Sequence, residues 1–500
     1  MALEDELLRQ RHERLAQIRQ LDFEPYGQAF DFTHTIPEIL AEYGEKSADE
    51  LSAQVRVRVA GRIQTIRRMG KAGFLHLLQN GKKLQLYIKK DAVPERSYRL
   101  YELLDIGDII GASGYLFRTK TGELTIHAEE LFFLSKIMLA LPEKWHGLED
   151  VELRYRQRYL DLIANPEVRD VFVTRSKIIR SLRRQLDGRG FLEVETPMMQ
   201  PLYGGAVARP FVTHHNTLDI DLYLRIAPEL YLKRLVVGGI ERVYEINRNF
   251  RNEGISTQHN PEFTMLEFYQ AYTDYRGMMQ LSRELLEQAA IDATGSAALT
   301  YQGRRLDFSN FREYSMREAI IEFWPEGDKP SLDNLKDRDW LLRHSTEPTP
   351  GTALVDLFER HVEDHLFDPT IIYEFPAEVS PLSKNKADEP DFVERFEIYA
   401  GEMEIANAFT ELNDPQEQRR RFELQLSRKE KGDEEAHVMD EDYIRALSYA
   451  MPPAGGEGIG IDRLTMLLTN SKSIRDVILF PLLRPESEIG LVERLKQLAP

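Results

Sequence analysis

The stretch 242–269 holds the residue types best suited to chemistry, since it combines an arginine, several acids and aromatic side chains on two strands joined by a polar loop. Because side chains alternate between the two faces of a strand, four residues share one face of the second strand: Phe263, Met265, Glu267 and Tyr269. Arg251 and Glu253 share a face if the first strand extends that far. A guanidinium suits a phosphate, and acids beside aromatic rings suit a flat ring and a cation. The alternative is a hairpin with a charged face in solvent.

The wording of this stretch, NRNFRNEG followed by HNPEFT, resembles motif 2 of class II aminoacyl-tRNA synthetases, most closely their lysine-specific members. The resemblance implies ATP-dependent activation of L-lysine to lysyl-adenylate, transfer of lysine to the 3′ end of lysine tRNA, and release of AMP and diphosphate. It assigns Arg251 to the α-phosphate of ATP and Phe263 to stacking on the adenine. It also places Glu253, His259 and Asn260 around the adenine and the phosphates.

Two further stretches resemble the other motifs of that family and follow the family's chain order. GFLEVETPMMQP, around Pro197, resembles motif 1, which forms the dimer interface in the family and so implies a homodimer. GIGIDRL resembles motif 3 and places Arg463 at a helix N-terminus, a favourable site for a phosphate. By resemblance, Arg463 contacts the γ-phosphate. The glycine-rich strand before it lacks the spacing of a Walker or dinucleotide-fold loop.

Acids and an amide are concentrated in 395–414, on two predicted strands that flank a turn. Oxygen ligands of this kind suit Mg²⁺, which keeps bound waters and bridges to substrate phosphates. The resemblance assigns Glu397 and Glu404 to magnesium, Glu397 also to ATP, and Asn407 and Glu411 to lysine. Strict alternation puts Glu404 on the face opposite to Asn407, so we expect either a β-bulge between them or one wrong assignment.

The choice of lysine depends on two acids. The side-chain ammonium of lysine needs a buried counter-charge, and Glu267 and Glu411 could supply it with Tyr269 alongside. An unmatched pair of buried carboxylates is costly, so the pair implies a cationic ligand. By resemblance, Gly205 and Glu229 also contact the amino acid, although Glu229 alone would equally suit a helix start. A related enzyme for aspartate or asparagine is the alternative, and an aspartate pocket would need a cation instead.

The stretch 55–90 reads as short strands separated by glycine turns, with ten Lys and Arg residues and no acid. A basic patch in an acidic chain predicts a surface for a polyanion. With further strands up to about residue 134, it predicts a five-stranded OB-type barrel, a fold that stacks bases of single-stranded nucleic acid on aromatic rings. By resemblance, Phe74, Gln85 and Glu123 bind the anticodon of lysine tRNA.

These observations predict an α+β protein: an N-terminal helix and OB-fold anticodon-binding domain over 1–140, a linker over 141–165, and a class II catalytic domain over 166–500. The catalytic domain, with a mainly antiparallel sheet flanked by helices, contains a helical insertion at about 275–370. A non-catalytic binding protein of the same fold is a further alternative. It is opposed by the intact set of Arg251, Glu397, Glu404 and Arg463.

The composition fits a cytoplasmic enzyme. The 500 residues carry a formal net charge of −18, with 42% hydrophobic and 30% charged residues. The absence of cysteine excludes disulfides, thiolate zinc sites and a cysteine nucleophile. No apolar run reaches the roughly 18 residues of a membrane helix, so we expect no membrane partner. The charged, acidic start argues against a targeting segment.

Overall fold

The computed structural model describes residues 2–27, 29–51, 55–141, 148–325, 327–430 and 438–485. The chain divides into two compact units, 1–169 and 170–500. In the described part, no helix is both long and apolar enough to cross a membrane.

A closed five-stranded barrel with the strand order β1-β2-β3-β5-β4 forms the centre of the first unit. The elements of this unit are α1 (Ala2–Gln20), α2 (Ile36–Tyr43), β1 (Arg56–Met69), β2 (Ala72–Gln79), β3 (Lys82–Lys89), α3 (Glu95–Leu103), β4 (Ile109–Arg118), β5 (Leu124–Ser135), α4 (Val151–Arg156) and α5 (Arg158–Ala164). The barrel predicted from the sequence is confirmed.

The barrel strands follow from alternation and from turn chemistry. In β1, alternate residues from Val57 to Ile63 are buried, while Arg58, Ala60 and Arg62 between them are more exposed. Asn80 and Gly81 join β2 to β3 with φ values of 50° and 75°. Two successive residues with positive φ form the hairpin turn whose twist matches that of the flanking strands, and Asn-Gly is the pair that adopts it at least cost.

The second unit is built around a mixed, mainly antiparallel sheet with the strand order β14-β15-β16-β17-β18-β11-β10-β6. Its elements, from a helix that crosses the unit boundary onward, are α6 (Pro166–Gly188), β6 (Leu192–Glu193), β7 (Met199–Gln200), β8 (Val212–His215), β9 (Ile220–Leu224), α7 (Glu229–Val237), β10 (Arg242–Phe250), β11 (Glu262–Ala271), α8 (Tyr275–Thr294), β12 (Ala298–Tyr301), β13 (Arg304–Asp307), β14 (Arg312–Ser315), α9 (Met316–Phe323), α10 (Arg338–His344), α11 (Pro350–His361), β15 (Thr370–Pro376), β16 (Phe392–Ala400), β17 (Met403–Thr410), α12 (Pro415–Glu430), α13 (Glu441–Leu447), β18 (Ala454–Gly460), α14 (Ile461–Leu468) and α15 (Ile474–Val477). The predicted α+β class is confirmed.

Helices cover one face of this sheet. Apolar residues of α6, α8 and α14 form one core cluster with residues of the central strands. The stretch 275–370 contains the helices α8, α9, α10 and α11, and it also contains the β12–β13 hairpin and β14, which pairs in parallel with β15. Gln302 and Gly303, both with positive φ, form the tight turn of that hairpin.

Candidate active site

A cavity of about 610 Å³ opens in the second unit against β11, β17 and β18. Thirteen of the fourteen side chains or glycines predicted for ATP, metal or lysine line this cavity: Gly205, Glu229, Arg251, Glu253, His259, Asn260, Phe263, Glu267, Tyr269, Glu397, Glu404, Asn407 and Arg463. The fourteenth, Glu411, is buried beside its wall. β10 ends at Phe250, so the strand does not extend through Arg251 and Glu253, yet both residues reach the cavity from the following loop.

A β-bulge brings Glu404 to the same face as Asn407. Ile398 of β16 pairs with Ala406, but the next residue, Tyr399, pairs with Glu404, so Ile405 is an extra residue in β17. Asn407 pairs with Glu397, which lies two residues before Tyr399 and so on the same strand face. Of the two outcomes expected from the sequence, the structure therefore has the bulge.

Glycines of β18 make room for the acids of the cavity. Tyr269 pairs with Gly456 across the β11–β18 ladder. A Cβ atom at Gly456 would lie 2.1 Å from Glu411 Oε1 and 2.4 Å from Tyr269 Cε1, so a side chain at this position would displace both groups. Gly205 has a φ of +89°, and a Cβ there would lie 2.8 Å from the Cβ of Glu229. Both positions require glycine, because neighbouring side chains approach the backbone too closely to leave room for a Cβ atom.

Lys233 pairs with two of the predicted lysine-binding acids. Its Nζ atom lies 2.5 Å from Glu229 Oε1, forms an ion pair with Glu411 Oε2, and is 5.1 Å from the centre of the Phe409 ring. Glu411 is therefore not one of an unmatched pair of buried carboxylates, and only Glu267 lacks a basic partner among the described residues. The i, i+4 spacing of Glu229 and Lys233 on one helix was the signal that could have revealed half of this cluster.

Glu267 differs from Glu411 because, among the described residues, no basic side chain lies within ion-pair distance of it. It is 5% exposed, and its nearest donor is the Tyr269 hydroxyl at 3.3 Å from Oε2. Burial and the charges of Glu229 and Glu245 raise the pKa of Glu267 to about 8. A cation placed in the cavity beside Glu267 would stabilise the carboxylate and lower that pKa.

The two arginines predicted to bind phosphates lie at the cavity. The Arg251 guanidinium is 5.1 Å from the centre of the Phe263 ring, and its Nε has no hydrogen-bond partner in the part of the chain that the structure describes. Arg463 Nη1 donates to the Glu404 carbonyl at 2.6 Å, and Nη2 lies 3.2 Å from His259 Nε2. Burial and the Arg463 charge lower the pKa of His259, which favours the neutral ring as the acceptor of that hydrogen bond.

Glu397 and Glu404 offer oxygen ligands, the donor type that Mg²⁺ prefers. The Tyr399 hydroxyl donates to Glu397 Oε2 at 2.7 Å, and Arg395 contacts Oε1. Burial, and the charge of Glu404, raise the pKa of Glu397 to about 7. Within the described ranges no group of three or more acidic or histidine side chains forms a metal site by itself. The pair therefore fits a metal whose remaining ligands are phosphate oxygens and water.

On the barrel, the three residues predicted to bind the anticodon come together on one face. Gln85 Nε2 donates to Glu123 Oε2 at 2.7 Å, and Thr125 Oγ1 donates to Gln85 Oε1 at 2.9 Å. Phe74 pairs with Tyr87 across β2 and β3, and their ring centres are 4.9 Å apart. Since Tyr87 is two residues from Gln85, the aromatic pair and the polar pair share a face.

The chain matches the models of two known protein families. The family described as tRNA synthetases class II (D, K and N) matches residues 150–484, and an OB-fold nucleic acid binding domain of the anticodon-binding type matches residues 57–134. The chain belongs to the class II tRNA synthetases.

Relatives of this class II synthetase match over almost their whole length. A lysine–tRNA ligase of Syntrophomonas wolfei is 54% identical over 490 residues, covering 96% of this chain and 98% of the relative. The lysine–tRNA ligase of Moorella thermoacetica is 54% identical, with 97% and 99% covered. That of Halalkalibacterium halodurans is 50% identical, with 96% and 97% covered.

The sequence reasoning missed several side chains around the two sites of this synthetase. The buried Arg225 donates to Glu245 Oε1 at 2.6 Å. Glu245 on β10 is the cross-strand neighbour of Glu267 on β11. On the barrel, the ring of His127 lies 5.4 Å from that of Tyr87 and extends the aromatic face. Neither group had a local sequence signal, since each contact joins strands that are distant in the chain.

Proposed function

We propose that this chain is a lysine–tRNA ligase. It activates L-lysine with ATP to lysyl-adenylate and transfers the lysyl group to the 3′ end of lysine tRNA, releasing AMP and diphosphate. Membership of the class II synthetases and the lysine–tRNA ligases that match at 50–54% identity support this reaction. We place the reaction in the cytoplasm, together with the lysine tRNA that it uses.

The carboxylate of Glu267 is the main structural support for lysine as the amino-acid substrate. It is a buried carboxylate on the wall of the cavity, and none of the described basic side chains pairs with it. A buried acid of this kind is costly unless a ligand supplies a cation, and the ε-ammonium of lysine supplies one. An aspartate side chain would instead add a third negative charge to a pocket that already contains Glu267 and Glu411.

The activation step needs no protein nucleophile, because the substrate carboxylate itself attacks the α-phosphorus of ATP. The protein aligns the two groups and neutralises the charge that develops. In our proposal Arg251 contacts the α-phosphate and Arg463 the γ-phosphate, while the adenine stacks on Phe263. Glu253, His259 and Asn260 surround the nucleotide.

Glu397 and Glu404 would hold Mg²⁺ together with phosphate oxygens of ATP. When bound, the ion neutralises phosphate charge and helps orient the diphosphate leaving group. We assign Gly205 and Glu229, which both line the cavity, to contacts with the amino acid. A second set also contacts the lysine: Glu267, Tyr269, Asn407 and Glu411.

The barrel would read the anticodon through Phe74, Gln85 and Glu123. Phe74 is half-buried on β2, so part of its ring can stack on a base, while Gln85 and Glu123 present polar atoms beside it. We propose that this anticodon-binding domain covers 1–140 and that 141–165 links it to the catalytic domain, 166–500, with its insertion at about 275–370.

We further propose that the enzyme is a homodimer that associates through the region around Pro197. Four large apolar side chains are exposed there, which is unusual for a surface without a partner: Leu192, Met198, Met199 and Leu202. Leu192 belongs to β6, which ends the large sheet. Sedimentation equilibrium would test this association, and a monomer at micromolar concentration would contradict it.

Amino-acid-dependent exchange between ATP and diphosphate, without tRNA, tests the proposed reaction. We expect exchange with lysine and none with aspartate or asparagine in parallel assays. Exchange with aspartate or asparagine alone would overturn the role given to Glu267 and keep the family. Charging of lysine tRNA, but not of an aspartate tRNA, then tests the second step.

A further inference from the structure

Lys233 is completely buried in the wall of the amino-acid pocket, and its ammonium group takes one oxygen from each of two acids. It contacts Glu229 Oε1 from the same helix and Glu411 Oε2 from the segment that follows β17. Glu411 Oε1, in contrast, has no hydrogen-bond donor among the described residues and lies against the bare backbone of Gly456. One oxygen of Glu411 is thus ion-paired with Lys233, and the other has no donor among the described residues.

The charges of the pocket do not balance without a ligand. Glu229, Glu267 and Glu411 are buried together, and Lys233 is the only described cation within ion-pair distance of any of the three. When all three acids are ionised, three carboxylates and one ammonium leave two negative charges, whereas burial raises the pKa of Glu267 and of Glu411 to about 8 and so favours their protonated forms at pH 7 when no ligand is bound. A lysine molecule carries two ammonium groups, and lysyl-adenylate keeps both of them.

We propose that Lys233 is a positioning residue for the amino acid: its ammonium group orients Glu229 and Glu411 and favours their carboxylate forms, so that the pocket accepts the two ammonium groups of one lysine. This inference rests on the proposed activation of lysine. It assigns a function to a side chain that contacts the pocket's acids and not the reacting atoms.

The electrostatics of the neighbouring groups agree with this role. Burial lowers the pKa of Lys233, but the two acids outweigh it and raise that pKa, so Lys233 stays an ammonium. Burial raises the pKa of Glu411 to about 8, and Lys233 keeps it from rising further. The other titratable or charged groups that face the cluster are Glu267 and Tyr269 on β11, Tyr443 on α13 and Arg395 on β16. Arg395 is itself paired with Glu397.

Replacing Lys233 by methionine keeps the length of the side chain and removes its charge. The carboxyl groups of Glu411 and Glu229 then lose their counter-ion and hold their protons more tightly than in the parent, and lysine must displace those protons in order to bind. In the exchange assay at pH 7 we expect K233M to raise the KM for lysine roughly tenfold or more, with a smaller change in the KM for ATP. Because a higher pH removes the competing proton, the KM for lysine of K233M should fall more steeply between pH 7 and pH 9 than that of the parent.

Lys136 provides a matched control, since its side chain is also completely buried between two carboxylates, in the other unit of the chain. We expect K136M to keep the parental KM for lysine and the parental pH profile. Calorimetric titration with lysine gives the same comparison if K233M binds lysine without turning over. K233Q, which retains a donor without the charge, replaces K233M if the latter does not fold.

Two outcomes would overturn the role of Lys233. One is a parental KM for lysine in K233M. The other is a raised KM with the parental pH dependence, which would reduce Lys233 to a packing group. In both cases the parent enzyme still exchanges diphosphate with lysine. If the parent shows no lysine-dependent exchange, the proposed function itself fails, and the two failures are thereby distinguished.

Discussion

Each unit has a buried lysine that pairs with two acids, and the two clusters differ in whether the oxygens of those acids are all hydrogen-bonded. In the barrel unit, Lys136 Nζ donates to Asp105 Oδ2 at 2.5 Å and to Asp108 Oδ2 at 2.8 Å. Both oxygens of Asp108 also accept backbone N–H groups, from Ile137 at 3.0 Å and Asp105 at 2.7 Å. In the catalytic unit, Lys233 leaves Glu411 Oε1 without a donor.

The difference separates a structural cluster from a binding site. A buried ion pair whose oxygens are all hydrogen-bonded is complete, and adding a ligand could not improve it. A buried cluster that retains excess charge and a free oxygen is stabilised only when a ligand of opposite charge arrives. Burial and a lysine are common to both clusters, so the count of charges and of satisfied oxygens distinguishes them.

The largest effect that we expect is on the complete cluster. K136M leaves the buried carboxylate of Asp108 without its cation and should lower the stability of the barrel by about 3–5 kcal/mol. Hydrogen exchange of peptides from β4 and β5 measures this loss. Lysine-dependent exchange of diphosphate without tRNA should remain at the parental rate. Unchanged protection of the barrel strands would show that Lys136 is not the counter-ion that the geometry indicates.

The next effect concerns the incomplete cluster. E267Q keeps the shape of the side chain and removes the charge that we assign to the lysine ammonium. We expect kcat/KM for lysine in the exchange assay to fall by about 100-fold, since a buried charge contact with the substrate is lost. The free energy of unfolding should not decrease, because the acid has no basic partner among the described residues. A destabilised E267Q with normal lysine kinetics would make Glu267 a structural acid and break the comparison.

Much of the fold could be predicted from local sequence patterns. Alternation and turns such as Asn80-Gly81 predict the barrel strands, because a hairpin joins neighbours in the chain. β14 was missed, since a four-residue strand that pairs in parallel with β15 has no local signal. The bulge at Ile405 was indicated only because strict alternation put Glu404 and Asn407 on opposite faces of the strand while their assigned roles needed one face. One extra residue reverses the facing of every later side chain without a change in composition.

The sequence was enough to predict which residues form the site, but it was not enough to predict which of their charges pair with each other. Glu267, Tyr269 and Phe263 lie on one strand, so the period of two places them together. Glu411 and Lys233 are separated by most of the catalytic unit, and only the fold brings Nζ to Oε2. A sequence shows which charges exist, while the partners of a buried charge depend on tertiary contacts.

Glu457 is a further buried acid that sharpens the comparison, because no described basic side chain lies within ion-pair distance of it. Glu457 lies on β18 and pairs with Phe268 of β11. Its neighbours on β18, Gly456 and Gly458, pair with Tyr269 and Glu267, so the Glu457 side chain points to the opposite face of the sheet. There it accepts a hydrogen bond from Ser282 Oγ at 2.6 Å. Burial raises the pKa of Glu457 to about 8.

The sign of the pH dependence follows from that pKa. The folded protein keeps the Glu457 proton up to about pH 8, whereas the unfolded chain releases it near pH 4.5, so the parent loses stability as the pH rises through this window. Glutamine at this position can accept the same hydrogen bond and does not titrate. Urea unfolding should show E457Q gaining about 3 kcal/mol over the parent between pH 5 and pH 8. Parallel stability curves for the two proteins would place a counter-charge at Glu457 that the geometry does not contain.

The smallest effect that we expect is on tRNA binding by the barrel. The buried charges of the barrel are structural, so we expect it to bind tRNA through its aromatic surface. F74A removes the ring that lies 4.9 Å from Tyr87 and should raise the KM for lysine tRNA about tenfold, the loss expected for one base stack. Exchange without tRNA should be unaffected. Phe132 is a matched control, because it is also half-buried on the barrel and packs against Phe30, outside the cluster of Phe74 and Gln85. If F132A weakens tRNA charging as much as F74A does, the loss reflects a damaged barrel, and the anticodon contact assigned to Phe74 is wrong.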